Sequence, residues 1–389
     1  MTLRRYWPFY LVLMGLVPGA MQIWSVWQLE PDGISVITGK SPAWDFTNLW
    51  AGGVLAASGR VATIFDFPAY ADWLRTILGP RAENHEWSYP PSMLLLGVPL
   101  ARLPLLYAYA VWTALTLGAL WLALRSGGLS LAVCAAAILS PGALNNAAFG
   151  QNGALTAALL VGALLLADKR PAVAGVLMGL LTVKPQLGIL LPVCVIASRN
   201  WRAFIAAALT GLALVAVTGL AFGWQVWALF LSETGPKMRS ILEAPWRSGF
   251  QLHAVTVFAM ARAADAPVPV AYAIQAVAAF GAAIVAWRAW RIEDADPVAR
   301  MALTVCLVFL ASPYGYSYDM AAFSAASAAS MALGGWPVSI VEAVIWLWPG
   351  VVHLVNPYFP LTPVVAASAA WFAWRRLRPS ALAPATVAR

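Results

Sequence analysis

The sequence predicts an all-α, polytopic membrane protein of about twelve transmembrane helices. Three observations carry that prediction. Of 389 residues, 61% are hydrophobic and only 10% charged, against roughly 25% charged in soluble domains. Apolar runs of membrane-spanning length recur from residue 7 almost to residue 375, which makes the chain one bundle, a single domain, and not a soluble enzyme with an anchor. The basic residues stand in twos and threes at the ends of these runs, so the formal charge of +8 reflects membrane topology and not nucleic-acid binding.

The first run, Trp7 to Trp27, contains Pro18 and lacks a small-residue cleavage site, so it reads as a retained helix. Arg4 and Arg5 precede it and favour a cytoplasmic N-terminus. A first outer loop, about 28–105, then mixes Lys40, Arg60, Arg75 and Arg81 with Glu30, Asp32, Asp45, Asp66, Asp72, Glu83 and Glu86; such an acidic loop translocates easily. Its last part, YPPSMLLLGVPLARLP, is too short and too proline-broken to cross, since a span needs roughly 20 apolar residues. It reads as a half-inserted, re-entrant piece.

From there the polar clusters alternate sides: Arg125 inside, LNNAAFGQN outside, DKR (168–170) inside, VKPQ (183–186) outside, RNWR (199–202) inside. The helices flanking VKPQ are short, roughly 11 to 13 residues, which sinks Lys184 below the membrane surface toward protein or a water-filled cavity. A span over about 203–222 leads to a second outer loop, about 223–268, whose aromatic and apolar positions predict amphipathic interfacial helices. The remaining spans turn inside at WRAWRIEDADPVAR, outside at SPYGYSYDM, inside near Gly334 and outside at HLVNPYFP, and end in WRRLRPS, so both termini are cytoplasmic. Cys134, Cys194 and Cys306 fall within apolar runs, where thiols behave as small hydrophobes.

This topology gathers one set of polar residues on the outer side: Asp45, Asn48, Tyr89, Asn145, Asn146, Gln151, Asn152, Lys184, Gln186, Arg247, His253, Tyr316, Tyr318 and Asp319. An ionisable residue at membrane depth is costly unless paired, and counts as a functional-site candidate. A carboxylate can deprotonate a hydroxyl, Lys and Arg can neutralise phosphate, and amides and aromatics can hold a sugar. Each residue has a plainer alternative. Asp45 can cap a helix starting at Phe46, Lys184 can snorkel from a helix end, and GQN can be only a turn. His253 and His353 can be satisfied interfacial histidines, Asp319 can pair with a neighbouring base, and Glu342 has no assigned role beyond a partner within the bundle.

The order of motifs is more specific than any residue. DFTNLWAGGVLAASGRVATIFD (45–66), then YPPSMLLLGVPLARLP, then the stretch 150–204 with GQN and VKPQ, then SPYGYSYD, resembles glycosyltransferase family 87. These are GT-C integral membrane enzymes that use polyprenyl-phosphate sugars. The resemblance implies a GT-C-type bundle with long outer loops carrying amphipathic helices, in a bacterial inner membrane with its active site on the periplasmic, outer face. It implies Asp45, just after the first helix, as catalytic base. Lys184 and Pro185 would lie near the donor phosphate, with Gly150, Gln151 and Asn152 in the same cavity. Asn145 and Asn146 stand where many relatives have a second acidic motif, so catalysis is expected to be metal-independent. Tyr318 and Asp319 stand where relatives often have histidine, which shifts that phosphate contact to His253 or Arg247. Sugar contacts would come from Asn48, Tyr89, Asn146, Gln151, Asn152, Gln186, Tyr316, Tyr318 and Asp319.

The implied reaction is inverting transfer of a hexose, mannose or another, from the polyprenyl-phosphate donor to a glycolipid, polysaccharide or polyol hydroxyl. The lipid-linked donor is a co-substrate and no other cofactor is expected; membrane lipids, and no nucleic acid, are the surroundings. A transporter or flippase of lipid-linked sugars is the alternative. It would place its polar residues at the bilayer midplane between gates, whereas here they crowd one face.

Overall fold

The computed structural model describes residues 2–31, 33–81, 85–335 and 338–377. The Arg4 and Arg5 side chains, Asp32, Glu83 and residues 378–389 lie outside the described residues, and with them part of the charge pattern used for topology. Among the described residues the structure is helical, with two isolated β-bridges, Leu29 to Ser35 and Ala254 to Tyr316.

Helix α1 (Thr2–Val26) packs along α7 and α18 of the elements below. The segment after α1 folds as α2 (Trp44–Ala57), a 3-10 turn, α3 (Phe67–Leu78) and the short α4 (Leu94–Leu100). Asp66 starts α3 by accepting from the Ala69 amide at 3.1 Å. Helix α4 has 7 residues and packs on α2, where a Cβ on Gly53 would lie 2.2 Å from the Gly97 carbonyl oxygen. That approach makes α2 and α4 a tight helix pair.

Next come α5 (Leu105–Ser126), α6 (Leu131–Ile138), α7 (Pro141–Phe149), α8 (Gly153–Leu166) and α9 (Pro171–Leu180). Helices α6 and α7 meet at a 43° bend, where Ser140 caps α7 from the Ala143 amide and Pro141 opens it. Two 3-10 turns flank Lys184 before α10 (Leu191–Ala197), so VKPQ joins two apolar arms, Pro171–Val183 and Pro185–Ala197. Helix α11 (Trp201–Phe222) lies against α9, with Gly175 and Gly179 facing the Ala203 and Ala207 carbonyls. The segment after α11 contains α12 (Gln225–Leu229), α13 (Gly235–Glu243) and α14 (Val257–Ala263). The chain ends with α15 (Val268–Trp290), α16 (Pro297–Ala311), α17 (Ala321–Gly334), α18 (Ile340–Val355) and α19 (Thr362–Arg375).

About twelve spans are expected from the sequence; among the described residues four helices are long and apolar enough to cross alone, α1, α5, α11 and α15, and the bent α6–α7 pair makes a fifth. The others are shorter, and the reason is their position. Helices α8, α16 and α17 are almost wholly buried, while α11 and α15 turn large side chains such as Leu212, Leu220, Val277 and Phe280 outward. Helices wrapped in protein need not match a bilayer's thickness; helices facing lipid must.

Polar side chains mark both ends of this inner core. At one end Asp168 after α8 pairs with Arg300 of α16, Asn200 Nδ2 donates to the Ala167 carbonyl at 2.7 Å, and Arg376 pairs with Glu342 at 2.5 Å. Glu342 thus has the intrabundle partner expected of it. At the other end Lys184 pairs with Asp319 and donates to Asn152 Oδ1 at 3.0 Å.

Candidate active site

At the Lys184–Asp319 end a cavity of about 500 Å3 opens, within the range of roughly 300–1,000 Å3 usual for small-molecule sites. Its walls come from parts of the chain far apart in sequence. Lys40, Trp44, Asp45 and Asn48 line it from the start of α2; His85, Glu86, Ser88 and Tyr89 from the loop before α4. Asn145 and Gln151 come from either side of the α7–α8 turn, and Ser317 and Tyr318 from the turn after α16. The chain has three histidines, and all of them, His85, His253 and His353, line this one cavity.

Asp45 does not cap its helix. Helix α2 begins at Trp44, and the capping position is Ala43, held left-handed at φ 60 without a side-chain cap. Asp45 therefore sits in the first turn with its carboxyl turned to the cavity. Burial pushes that carboxyl up to about 6; Lys40, the hydrogen-bonding Gln151 side chain and Lys184 oppose the rise, and Asp319 adds to it. Gly150, at φ +69, ends α7 in the left-handed conformation, and a Cβ there would meet Phe46 at 2.6 Å. So GQN is a turn, and a turn that only glycine fits, placing Gln151 beside Asp45.

Behind this wall lies a second polar layer. Lys184 and Asp319 are buried and paired, and the Asp319 carboxylate also accepts from the Tyr316 amide at 3.1 Å. The Lys184 ammonium lies 5.3 Å from the Tyr318 ring centroid. Asn146 ties the layer to α8, donating to the Tyr318 carbonyl at 3.3 Å and accepting from the Ala154 amide at 3.1 Å. A pair held in this way acts on the cavity through Tyr318 and through its field at Asp45, not by open contact.

The structure thus brings Asp45, Asn48, Tyr89, Gln151, His253 and Tyr318 to the cavity wall. Asn146, Asn152, Lys184, Tyr316 and Asp319 are buried behind it. Gln186 is half-buried and Arg247 exposed, and neither lines the cavity. Asn48 lines the cavity but spends its amide on structure, donating to the Glu86 carbonyl at 2.9 Å and accepting from the Tyr70 hydroxyl at 2.8 Å. Sequence reasoning did not single out Lys40, Trp44, His85 or Glu86; single residues in an irregular loop carry no periodic signal. Burial, with Lys40 and His353 nearby, lowers His253 to about 4, so its imidazole is neutral in the empty cavity. Among the described residues no group of three or more His, Cys, Asp or Glu is arranged to hold a metal ion.

Comparison with known proteins gives one match. Glycosyltransferase family 87 matches residues 87–313, more than half of the chain. That stretch includes Tyr89, Asn145, Gln151 and His253 of the cavity, and ends before Tyr318. No curated protein and no solved structure matches the chain.

Proposed function

Since the chain belongs to glycosyltransferase family 87 and is a membrane glycosyltransferase, we propose that it transfers a sugar from a polyprenyl-phosphate donor to an acceptor hydroxyl, with inversion and with Asp45 as base. The observation that carries this reading is the Asp45 carboxyl, facing a ligand-sized cavity and poised at about 6. A general base works best when its pKa lies near the operating pH.

In this mechanism Asp45 takes the proton of the acceptor hydroxyl as the oxygen attacks the anomeric carbon. The bond from that carbon to the phosphate oxygen breaks on the opposite face, and the polyprenyl phosphate departs with the electron pair. His253, with His353 beside it, donates hydrogen bonds to the departing phosphate, and Lys184 adds positive potential from behind Tyr318. Lys40 keeps Asp45 ionised at neutral pH. Asn145 and Asn146 occupy positions where carboxylates would favour a cation, which supports metal-independent transfer. Arg247, on the exposed outer segment, is placed to meet anionic headgroups.

Twelve crossings follow if the bent pair, the two VKPQ arms and the short inner helices each traverse the bundle. Positive-inside counting then puts the cavity on the periplasmic side of a bacterial inner membrane. The deciding experiment offers membranes containing the protein or Asp45→Asn a panel of radiolabelled polyprenyl-phosphate sugars, with and without chelator. Transfer that requires Asp45 and survives chelation is expected. Donor binding with no transfer from any sugar would favour a transporter of lipid-linked sugars.

A further inference from the structure

The wall of the cavity that Asp45 lines carries a polar atom without a partner. His85 is only 7% exposed, lines the cavity, and its Nε2 makes no hydrogen bond. Its ring lies on that of Trp44, centroids 4.0 Å apart and planes inclined by 31°, and Trp44 immediately precedes Asp45. The peptide carrying it is fixed from three sides. Asn48 of α2 donates to the Glu86 carbonyl at 2.9 Å, Lys237 of α13 lies 3.3 Å from the Glu86 carboxylate, and Thr234 donates to the Trp87 carbonyl at 3.1 Å.

Packing does not account for a histidine here. A phenyl ring would stack on Trp44 equally well and leave no buried nitrogen unsatisfied, an omission that is costly to the fold. Burial and the nearby Lys40 lower the imidazole to about 3, so it is uncharged. A neutral Nε2 is a single donor or acceptor according to tautomer, which complements a hydroxyl. His85 shares the cavity with the base and stands on a clamped loop, where it can hold an acceptor.

We propose that His85 is a positioning residue for the acceptor, its Nε2 hydrogen-bonding one hydroxyl of a neutral polyhydroxylated ligand, a saccharide or polyol, so that a neighbouring hydroxyl meets Asp45. This rests on the reading of Asp45 as base. The proton still goes to Asp45; His85 supplies orientation only.

The test uses the full chain in nanodiscs and reads binding apart from turnover, by saturation-transfer NMR with methyl glycosides and myo-inositol as probes. The wild type and Asp45→Asn are expected to bind at least one probe. His85→Phe, which keeps the stack, should weaken it about three- to tenfold, the loss of one hydrogen bond, with an unchanged or higher unfolding temperature. His85→Gln, which restores an amide near the same point, should recover most of the affinity. In transfer assays His85→Phe should raise the acceptor KM and leave the donor KM unchanged. Equal binding by wild type and His85→Phe, or no binding of any probe, would overturn the proposal. Probes presented on an alkyl chain in the bilayer separate the two sources: tighter binding there assigns a glycolipid acceptor, equal binding a soluble one. If His85 governs binding but Asp45→Asn transfers normally, the base assignment fails and the hydroxyl site stands.

Discussion

Asp45→Asn should make the protein inactive and more stable at once, because one partly buried carboxyl serves the reaction and burdens the fold. Burial raises it from 3.8 to about 6 even after Lys40, Gln151 and Lys184 have acted in the opposite direction. That difference means the ionised form costs the folded state about 3 kcal/mol at neutral pH, an upper bound because cavity water screens the charge. The sign follows from a folded pKa above the unfolded one. The contribution to stability is complete below about pH 3.8 and is lost as pH rises through about 6. Asparagine keeps the shape and never ionises. The variant should therefore match the wild type near pH 4 and exceed it by up to about 3 kcal/mol above pH 7. Activity runs the other way: wild-type transfer should climb about tenfold per pH unit to a plateau above about pH 6, with the variant at background throughout. Unfolding and sugar transfer measured in parallel on nanodisc samples across this range test both halves. A variant less stable than wild type at pH 7 would refute the reasoning, since the carboxylate would then be held by its partners at a net gain.

Lys184→Met leaves the fully buried Asp319 carboxylate unpaired and should cost about 3–5 kcal/mol, as should Asp319→Leu; in unfolding experiments the double variant should lose far less than the sum, and additive losses would show that the pair is not coupled. Gly53→Ala brings a methyl within 2.2 Å of the Gly97 carbonyl oxygen. It should cost about 1–3 kcal/mol by forcing α2 and α4 apart, and unchanged stability would mean the crossing is slack. Asn145→Asp adds a carboxylate to the cavity that holds Asp45; a like charge disfavours ionisation, so the acid limb of the pH–rate profile should move to higher pH, and an unmoved limb would separate the two side chains.

Much of the architecture was legible because it depends on length and hydropathy. The two short arms around VKPQ, the short helical piece in YPPSMLLLGVPLARLP and the helices of the two long loop segments all follow from counting apolar residues between breakers. Helix length was less legible, because that count assumes lipid on the outside of every helix, and α8 is almost wholly buried in protein. In the site, the outer polar residues were found as a set, but their division into cavity wall and second layer was not. Asn145 lines the cavity while Asn146 binds Tyr318 and α8, and two consecutive residues on a helix differ only by the turn of about 100° between them. The Lys184–Asp319 pair joins residues 135 apart in sequence, so hydropathy gave a charge at each end and no means of joining them.

The shortness of the inner helices bears on where chemistry can occur. Helices α8 and α16 have 14 and 15 residues, so they rise about 21–22 Å, against about 33–34 Å for the 22 and 23 residues of the lipid-facing α11 and α15. A hydrocarbon core is about 30 Å thick. The Asp168–Arg300 layer at one end and the Asn152–Lys184–Asp319 layer at the other are thus too close together for both to reach the aqueous interfaces. Asp168 is mostly exposed, whereas Lys184 and Asp319 are almost wholly buried in protein, so the layer at the cavity end is the one that the protein itself closes off. A base facing that layer works where charge is less screened than in water, which fits the raised Asp45 carboxyl.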